Sequence, residues 1–179
     1  MKIYITRHGQ TDYNKNRKVC GSTDIPLNGI GKEQAVELRE NIKDKDIKFD
    51  YIFVSPLTRA RETVKPLEDY FNQKAIIDER LREFDFGEKE GCDFDDPNFR
   101  KTRNDPFSVF KNGESMVRAC SRVYNFFDEV KEKISSDSTI LIVSHGTISR
   151  IINTYFNSVS LEEFNTFKMA NCQLLEFNM

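Results

Sequence analysis

The apolar positions of the chain form two kinds of run. Short continuous runs rich in Ile, Val, Tyr and Phe occupy residues 2–6, 51–54, 139–143 and 173–177, with a weaker one at 75–77. Continuous runs of this length predict strands buried on both faces of a sheet. Between them, apolar residues recur every three or four positions, as an amphipathic helix requires. Ala35, Leu38 and Ile42 form one such series after Gly29, and Ala60, Val64, Leu67 and Phe71 form another after Ser55-Pro56. Pro66 lies inside the second series and predicts a kink or a restart there, because proline has no N–H to donate and its ring crowds the preceding turn. The longest stripe runs from Glu114 to Ile134 through Met116, Cys120, Val123, Phe127 and Val130. Residues 147–156 predict a shorter helix burying Ile148, Ile151, Ile152 and Tyr155, and Ser160 with Glu163 has capping-box spacing for another.

Strands alternating with helices predict an α/β fold: one domain over residues 1–179, three layers α/β/α, with a mostly parallel central sheet. Residues 92–113 fit neither period. They carry two prolines and four phenylalanines (Phe94, Phe99, Phe107, Phe110) and read either as a lid or as a surface excursion packed on its own aromatics. Long loops in compact domains are often functional.

Composition narrows the chemistry. Of 179 residues, 27 are Lys or Arg and 29 Asp or Glu, so the net charge is −2. That balance argues against a general nucleic-acid binder. No apolar run approaches the roughly 18 residues of a membrane span, and the start MKIYITRHG is too soon polar for a secretory leader. Four scattered cysteines point to a reducing cytoplasm rather than a disulfide scaffold. There are only two histidines, His8 and His145. With so few, a common zinc site is not expected.

In open α/β sheets, ligands bind beyond the carboxyl ends of the strands. The first strand is followed by Arg7-His8-Gly9, the second by Ser55-Pro56-Leu57-Thr58-Arg59, and the long one by Ser144-His145-Gly146. A parallel sheet brings these ends to one edge, so both histidines meet Arg7 and Arg59. Two guanidinium groups suit an oxyanion, phosphate above all, and a helix opening near Thr147 adds a positive dipole end. Nearby cations disfavour an imidazolium, which leaves a neutral imidazole able to attack phosphorus. The leaving oxygen then needs a proton. Glu83, Asp85, Glu88 and Glu90 all follow the third strand, and spacing does not choose among them.

Six sequence elements, in order from residue 3 to about residue 172, resemble the histidine phosphatase superfamily, also called phosphoglycerate-mutase-like. They are Arg7-His8-Gly9-Gln10-Thr11 with Asn14; Cys20-Gly21 through Leu27 with Gly31 and Gln34-Ala35; Ser55-Pro56-Leu57-Thr58-Arg59-Ala60 with Thr63; Leu81-Arg82-Glu83 with Phe86-Gly87 and Glu90-Gly91; Gly113-Glu114-Ser115; and Val143-Ser144-His145-Gly146. The resemblance implies that His8 is a nucleophile forming phosphohistidine, and that Arg7, Arg59 and His145 hold the phosphoryl group with help from Asn14 and Gly146. It also implies that Glu83 is the proton donor and that Cys20 and Gly21 contact substrate. Gln10, Tyr13, Cys20 and Lys89 depart from the commoner family residues, and the last two bear on specificity.

The expected activity is a phosphomonoesterase acting on a small phosphorylated metabolite, with no cofactor and no metal. Size and the Leu81 to Gly91 pattern resemble the α-ribazole-phosphate and broad-specificity phosphatases. A mutase is the alternative. Family mutases carry a longer insertion after the acid region and a C-terminal tail, whereas here 22 residues span 92–113 and the chain stops soon after its last strand. A non-catalytic phosphate-binding module is a third reading, which Glu83 argues against because binding alone does not need an acid. The physiological substrate and the oligomeric state are not encoded in any motif.

Overall fold

The computed structural model describes residues 1–179. Five strands form one sheet: β1 Lys2–Arg7, β2 Tyr51–Val54, β3 Ile76–Ile77, β4 Thr139–Ser144 and β5 Leu174–Asn178. Their order is β3-β2-β4-β1-β5. The first four are parallel, and β5 closes the edge antiparallel to β1. The α/β expectation with a mostly parallel sheet therefore holds. The run at 75–77 shortens to two residues at the sheet edge, where both isoleucines are about half exposed.

Strand alternation divides the core in two. Ile3, Ile5, Phe53, Ile140 and Ile142 belong to one apolar cluster, and Tyr4, Ile52, Val54, Leu141 and Val143 to the other. Successive residues of a strand face opposite sides, so the clusters are the two faces of the sheet. A register slip of one residue would exchange them. Helices α2 (Gly29–Asp44) and α3 (Thr58–Phe71) cover the second face through Leu38, Ile42, Ala60, Val64 and Leu67. Helices α5 (Met116–Lys133) and α6 (Gly146–Phe156) cover the first. This is the three-layer arrangement.

Helix α3 runs through Pro66 without restarting. The stripe of α5 is broader than its period suggested: Ala119 and Phe126 are buried beside Met116, Val123, Phe127 and Val130, while Cys120 and Ile134 sit half-buried at its border. Tyr155 is also only half-buried, since its hydroxyl reaches out to Asp128. A four-residue α1 (Asp12–Lys15) and the capped α7 (Leu161–Thr166) complete the set around the sheet.

Residues 92–113 are not structureless. Asp96 caps α4 (Pro97–Asn104), whose first turn starts on proline as helices favour. Two of the four phenylalanines, Phe99 and Phe110, are core residues that touch Phe86 and each other, and Phe110 also reaches Phe84. The segment therefore packs on the stretch that follows Glu83 rather than on itself alone. The aperiodic sequence hid α4 because only Phe99 of its eight residues is buried.

Candidate active site

Strand register builds the site. Arg7 pairs with Ser144, and the His8 N–H continues the ladder by donating to the Ser144 carbonyl at 3.0 Å. The next residues of the two strands therefore lie side by side, and the rings of His8 and His145 are 5.2 Å apart, tilted by 57°. Val54 pairs with Val143, and Ser55 N–H donates to Val143, which brings the Ser55 hydroxyl to 2.6 Å from His145 Nε2.

One of these rings has its tautomer set by its partner. His8 Nδ1–H donates to the Gly9 carbonyl at 2.7 Å, so Nε2 keeps its lone pair free. The Ser55 hydroxyl accepts from the Leu57 N–H at 3.3 Å and shares a hydrogen bond of 2.6 Å with His145 Nε2. Burial, and then the Arg59 guanidinium, holds both imidazoles well below their usual pKa; Arg7 adds to this at both rings, and His8 itself adds to it at His145. Both are neutral bases at ordinary pH.

The two arginines are held by backbone carbonyls. Arg7 Nη1 donates to Met169 at 2.9 Å. Arg59 is fully buried and donates to Thr23 and Gly21 at 2.8 and 2.7 Å. The Nε groups of both, together with His145 Nδ1, are buried without a partner. A buried donor left unpaired costs about 1–3 kcal/mol, and the charges of both guanidinium groups act on the two imidazoles. The first N–H of α6, at Gly146, adds an orphan helix-terminus donor beside Arg7, since a Cβ at Gly146 would lie 3.6 Å from Arg7 Nε.

Glu83 is 5% exposed and reaches the same pocket. Its carboxyl accepts from Phe84 N–H at 2.8 Å and Thr147 N–H at 3.2 Å. Burial outweighs those bonds and the two arginines and pushes its pKa up, so it holds a proton more readily than an ordinary Glu. The other three acids do different work. Glu90 accepts from the backbone N–H groups of Gly21, Ser22, Thr23 and Phe86, Asp85 from Ser22 and Gly87, and Glu88 from Asn112 while it pairs with Lys111.

The predicted residues do not all meet the pocket. Gly21 uses its carbonyl on Arg59 and its N–H on Glu90, and a Cβ there would lie 2.2 Å from both Glu90 Oε1 and the Phe84 carbonyl. It is therefore a support for Arg59. Asn14 closes the α1 capping box with Thr11 through its Oδ1 and its N–H, so its Nδ2 is the group left for a ligand. Burial pushes the Cys20 thiol up to about 11 even though Arg59 opposes it. Lys89 pairs with Asp96, the cap of α4, rather than facing the site.

Some supports were missed. Arg122 on α5 donates to the carbonyls of Arg80 and Arg82 at 2.5 and 2.7 Å and pairs with buried Glu114 through two bonds of 2.8 and 2.9 Å, bracing the backbone just before Glu83. Ser144 Oγ ties Leu81 to β4, and Asn171 Nδ2 donates to the His8 carbonyl. Glu114 and Ser144 stand within motifs without a role of their own, and Arg122 and Asn171 leave no local signal. No three His, Cys, Asp or Glu side chains cluster closely enough to hold a metal ion, and no helix is long and apolar enough to cross a membrane.

The family described as histidine phosphatase superfamily (branch 1) matches residues 3–179. A phosphatase of Bacillus subtilis named PhoE, described as uncharacterized, is 32% identical over 144 residues, covering 80% of this chain and 71% of its own. A 2,3-bisphosphoglycerate-dependent phosphoglycerate mutase of Parvibaculum lavamentivorans is 28% identical over 94% of this chain and 85% of its own. The crystal structure of the α-ribazole phosphatase of Shigella flexneri superposes with a TM-score of 0.85 at 26% identity, covering 98% of this chain and 89% of that one.

Proposed function

The chain belongs to the histidine phosphatase superfamily and is an enzyme of the phosphatase type, and from that premise we propose that it hydrolyses phosphomonoesters of small metabolites through a phosphohistidine on His8. The observation that carries this reading is that Arg7 Nε, Arg59 Nε and His145 Nδ1 are buried without partners, with the rings of His8 and His145 5.2 Å apart and both guanidinium charges acting on them. A phosphoryl group satisfies all three with its oxygens. They stabilise the charge that spreads over those oxygens in the transition state.

His8 Nε2 attacks phosphorus, the bond from phosphorus to the leaving oxygen breaks, and the Glu83 carboxyl gives its proton to that oxygen. Water then attacks the phosphorus of phosphohistidine while the Glu83 carboxylate takes one of its protons. Inorganic phosphate leaves, and His8 and the Glu83 acid are restored. Asn14 Nδ2 and the Gly146 N–H are additional donors for the phosphoryl oxygens. No metal and no cofactor enters these steps. The chain works in the cytoplasm on this reading.

Two experiments test it. His8→Ala should abolish turnover of p-nitrophenyl phosphate and the acid-labile phosphoenzyme trapped by rapid quench; retained turnover overturns the mechanism. The mutase reading is favoured by the phosphoglycerate mutase relative. Incubation with 3-phosphoglycerate and a bisphosphoglycerate primer should release free phosphate faster than it forms 2-phosphoglycerate, and the reverse order overturns hydrolysis as the main reaction.

A further inference from the structure

One hydrogen bond beside the nucleophile leaves a proton to be placed. Ser55 and His145 are both fully buried, and the Ser55 hydroxyl lies 2.6 Å from His145 Nε2. The Ser55 oxygen has one other partner, the Leu57 N–H at 3.3 Å. An amide N–H can only donate. If His145 Nε2–H donated as well, the Ser55 hydroxyl proton would be left without an acceptor in a dry site, which native structures avoid. If the hydroxyl donates to Nε2 instead, every group of the pair is satisfied.

A neutral imidazole carries one ring proton, and the partner of one nitrogen decides which nitrogen holds it. Burial and the arginines keep His145 neutral. With Nε2 accepting from Ser55, the proton sits on Nδ1, the buried nitrogen that has no partner. Strand β4 lies between β2 and β1, so Ser55 and His8 flank His145 from opposite strands. The two nitrogens of an imidazole point away from each other, which turns Nδ1 away from Ser55. The other assignment would offer a bare Nδ1 lone pair to the oxygens of an anion.

We infer that Ser55 is a positioning residue: its hydroxyl holds His145 as the Nδ1–H tautomer, so that the ring donates to a phosphoryl oxygen instead of opposing it. The donation rests on the phosphatase reading above; the tautomer does not. Ser55 itself touches no reacting atom in this role. His8 is held in the same tautomer by a different partner, the Gly9 carbonyl, which accepts from its Nδ1–H at 2.7 Å. One tautomer then serves two tasks: His8 offers a lone pair on Nε2, and His145 offers a proton on Nδ1.

The test is nitrogen NMR of protein isotope-labelled only at histidine, where two rings are the whole spectrum and His8→Gln assigns them. Native His145 should show a protonated Nδ1 and a bare Nε2. Its Nδ1–H signal should shift when orthovanadate, a phosphoryl analogue, is added. A protonated Nε2 in the native protein overturns the inference, whether or not any variant folds, and an Nδ1–H signal that vanadate leaves unmoved overturns the donation. Ser55→Ala should lose the exclusive Nδ1–H form and lower kcat/KM for p-nitrophenyl phosphate by on the order of tenfold. That is less than the roughly 10²–10³ that loss of a whole oxyanion donor costs, because the ring stays in place and can still re-form the tautomer. An unchanged tautomer or an unchanged kcat/KM in Ser55→Ala overturns the role of Ser55. Absence of both hydrolysis and phosphoenzyme in the native protein removes the phosphatase reading instead, and the tautomer then stands or falls on the native spectrum.

Discussion

His8 and Glu83 have opposite protonation needs in one pocket, and burial supplies both. Loss of water disfavours whichever form is charged. It therefore strips the proton from an imidazole and keeps the proton on a carboxyl, and the directions at His8 and Glu83 are these two cases. The arginines help the imidazole and oppose the acid, so burial has to win at Glu83. Glu83→Gln should slow the phosphorylation step by roughly 10²–10⁴ for alkyl leaving groups and much less for p-nitrophenolate, which leaves without a proton. Burst rates in a leaving-group series read this directly, and an equal loss across the series would remove Glu83 from the acid role. The strand-end rule made Arg7, His8, Arg59 and His145 legible because register sets the two histidines side by side and the start of α3 carries Arg59 to the same edge. The choice of Glu83 over its three acidic neighbours was not legible from spacing, since what separates them is burial against the 147 backbone rather than any local pattern. Ser55 was in view as part of a strand end, yet its effect on the His145 tautomer needed a distance.

At the scale of elements, the acid loop is braced from α5. Arg122 and Glu114 form a largely buried pair, and Arg122 also fixes two carbonyls next to Glu83. Removing one partner of such a pair leaves an uncompensated charge and costs about 3 kcal/mol. Glu114→Gln should lower the urea midpoint accordingly and also lower kcat for alkyl phosphates more than for p-nitrophenyl phosphate, with KM little changed. A loss of stability with no leaving-group bias would make Glu114 a fold residue only. The packing of Phe99 and Phe110 against Phe84 and Phe86 ties α4 to the same loop. Elements with a buried stripe were readable from the sequence: α2, α3, α5 and α6 fall where their periods put them. Helix α4, which buries only Phe99, was not, and β3, expected at 75–77, keeps only two residues at the sheet edge. Helix α3 carries Pro66 because packing of its Ala60, Val64 and Leu67 on the sheet offsets one missing backbone bond.

For the whole molecule, the two histidines make stability depend on pH. Both have folded pKa values well below the ordinary 6.5. Below 6.5 the unfolded chain therefore binds protons that the folded chain refuses. Stability follows the proton difference with slope 2.303RT(ν_U − ν_N), which is positive here, so acidification destabilises. For a histidine that stays neutral in the native state, going from pH 7 to pH 5 costs about 2 kcal/mol. Glu83 acts with the other sign: its folded pKa is raised, so its contribution is full below 4.5 and is lost as pH rises through the folded value. On acidification it offsets part of the histidine loss. Since the chain has no other histidine, urea unfolding of the native protein and of His8→Gln at pH 7 and pH 5 isolates the His8 share. The native protein should lose stability between the two, and His8→Gln should lose about 2 kcal/mol less than the native protein. Equal losses would mean that His8 takes up its proton in the folded state at the ordinary value, and a nucleophile protonated below neutrality would then have to show as an acid limb near 6.5 in kcat/KM. With the His8 value held well below 6.5 by burial and the arginines, that limb lies below the range in which an exposed imidazole titrates.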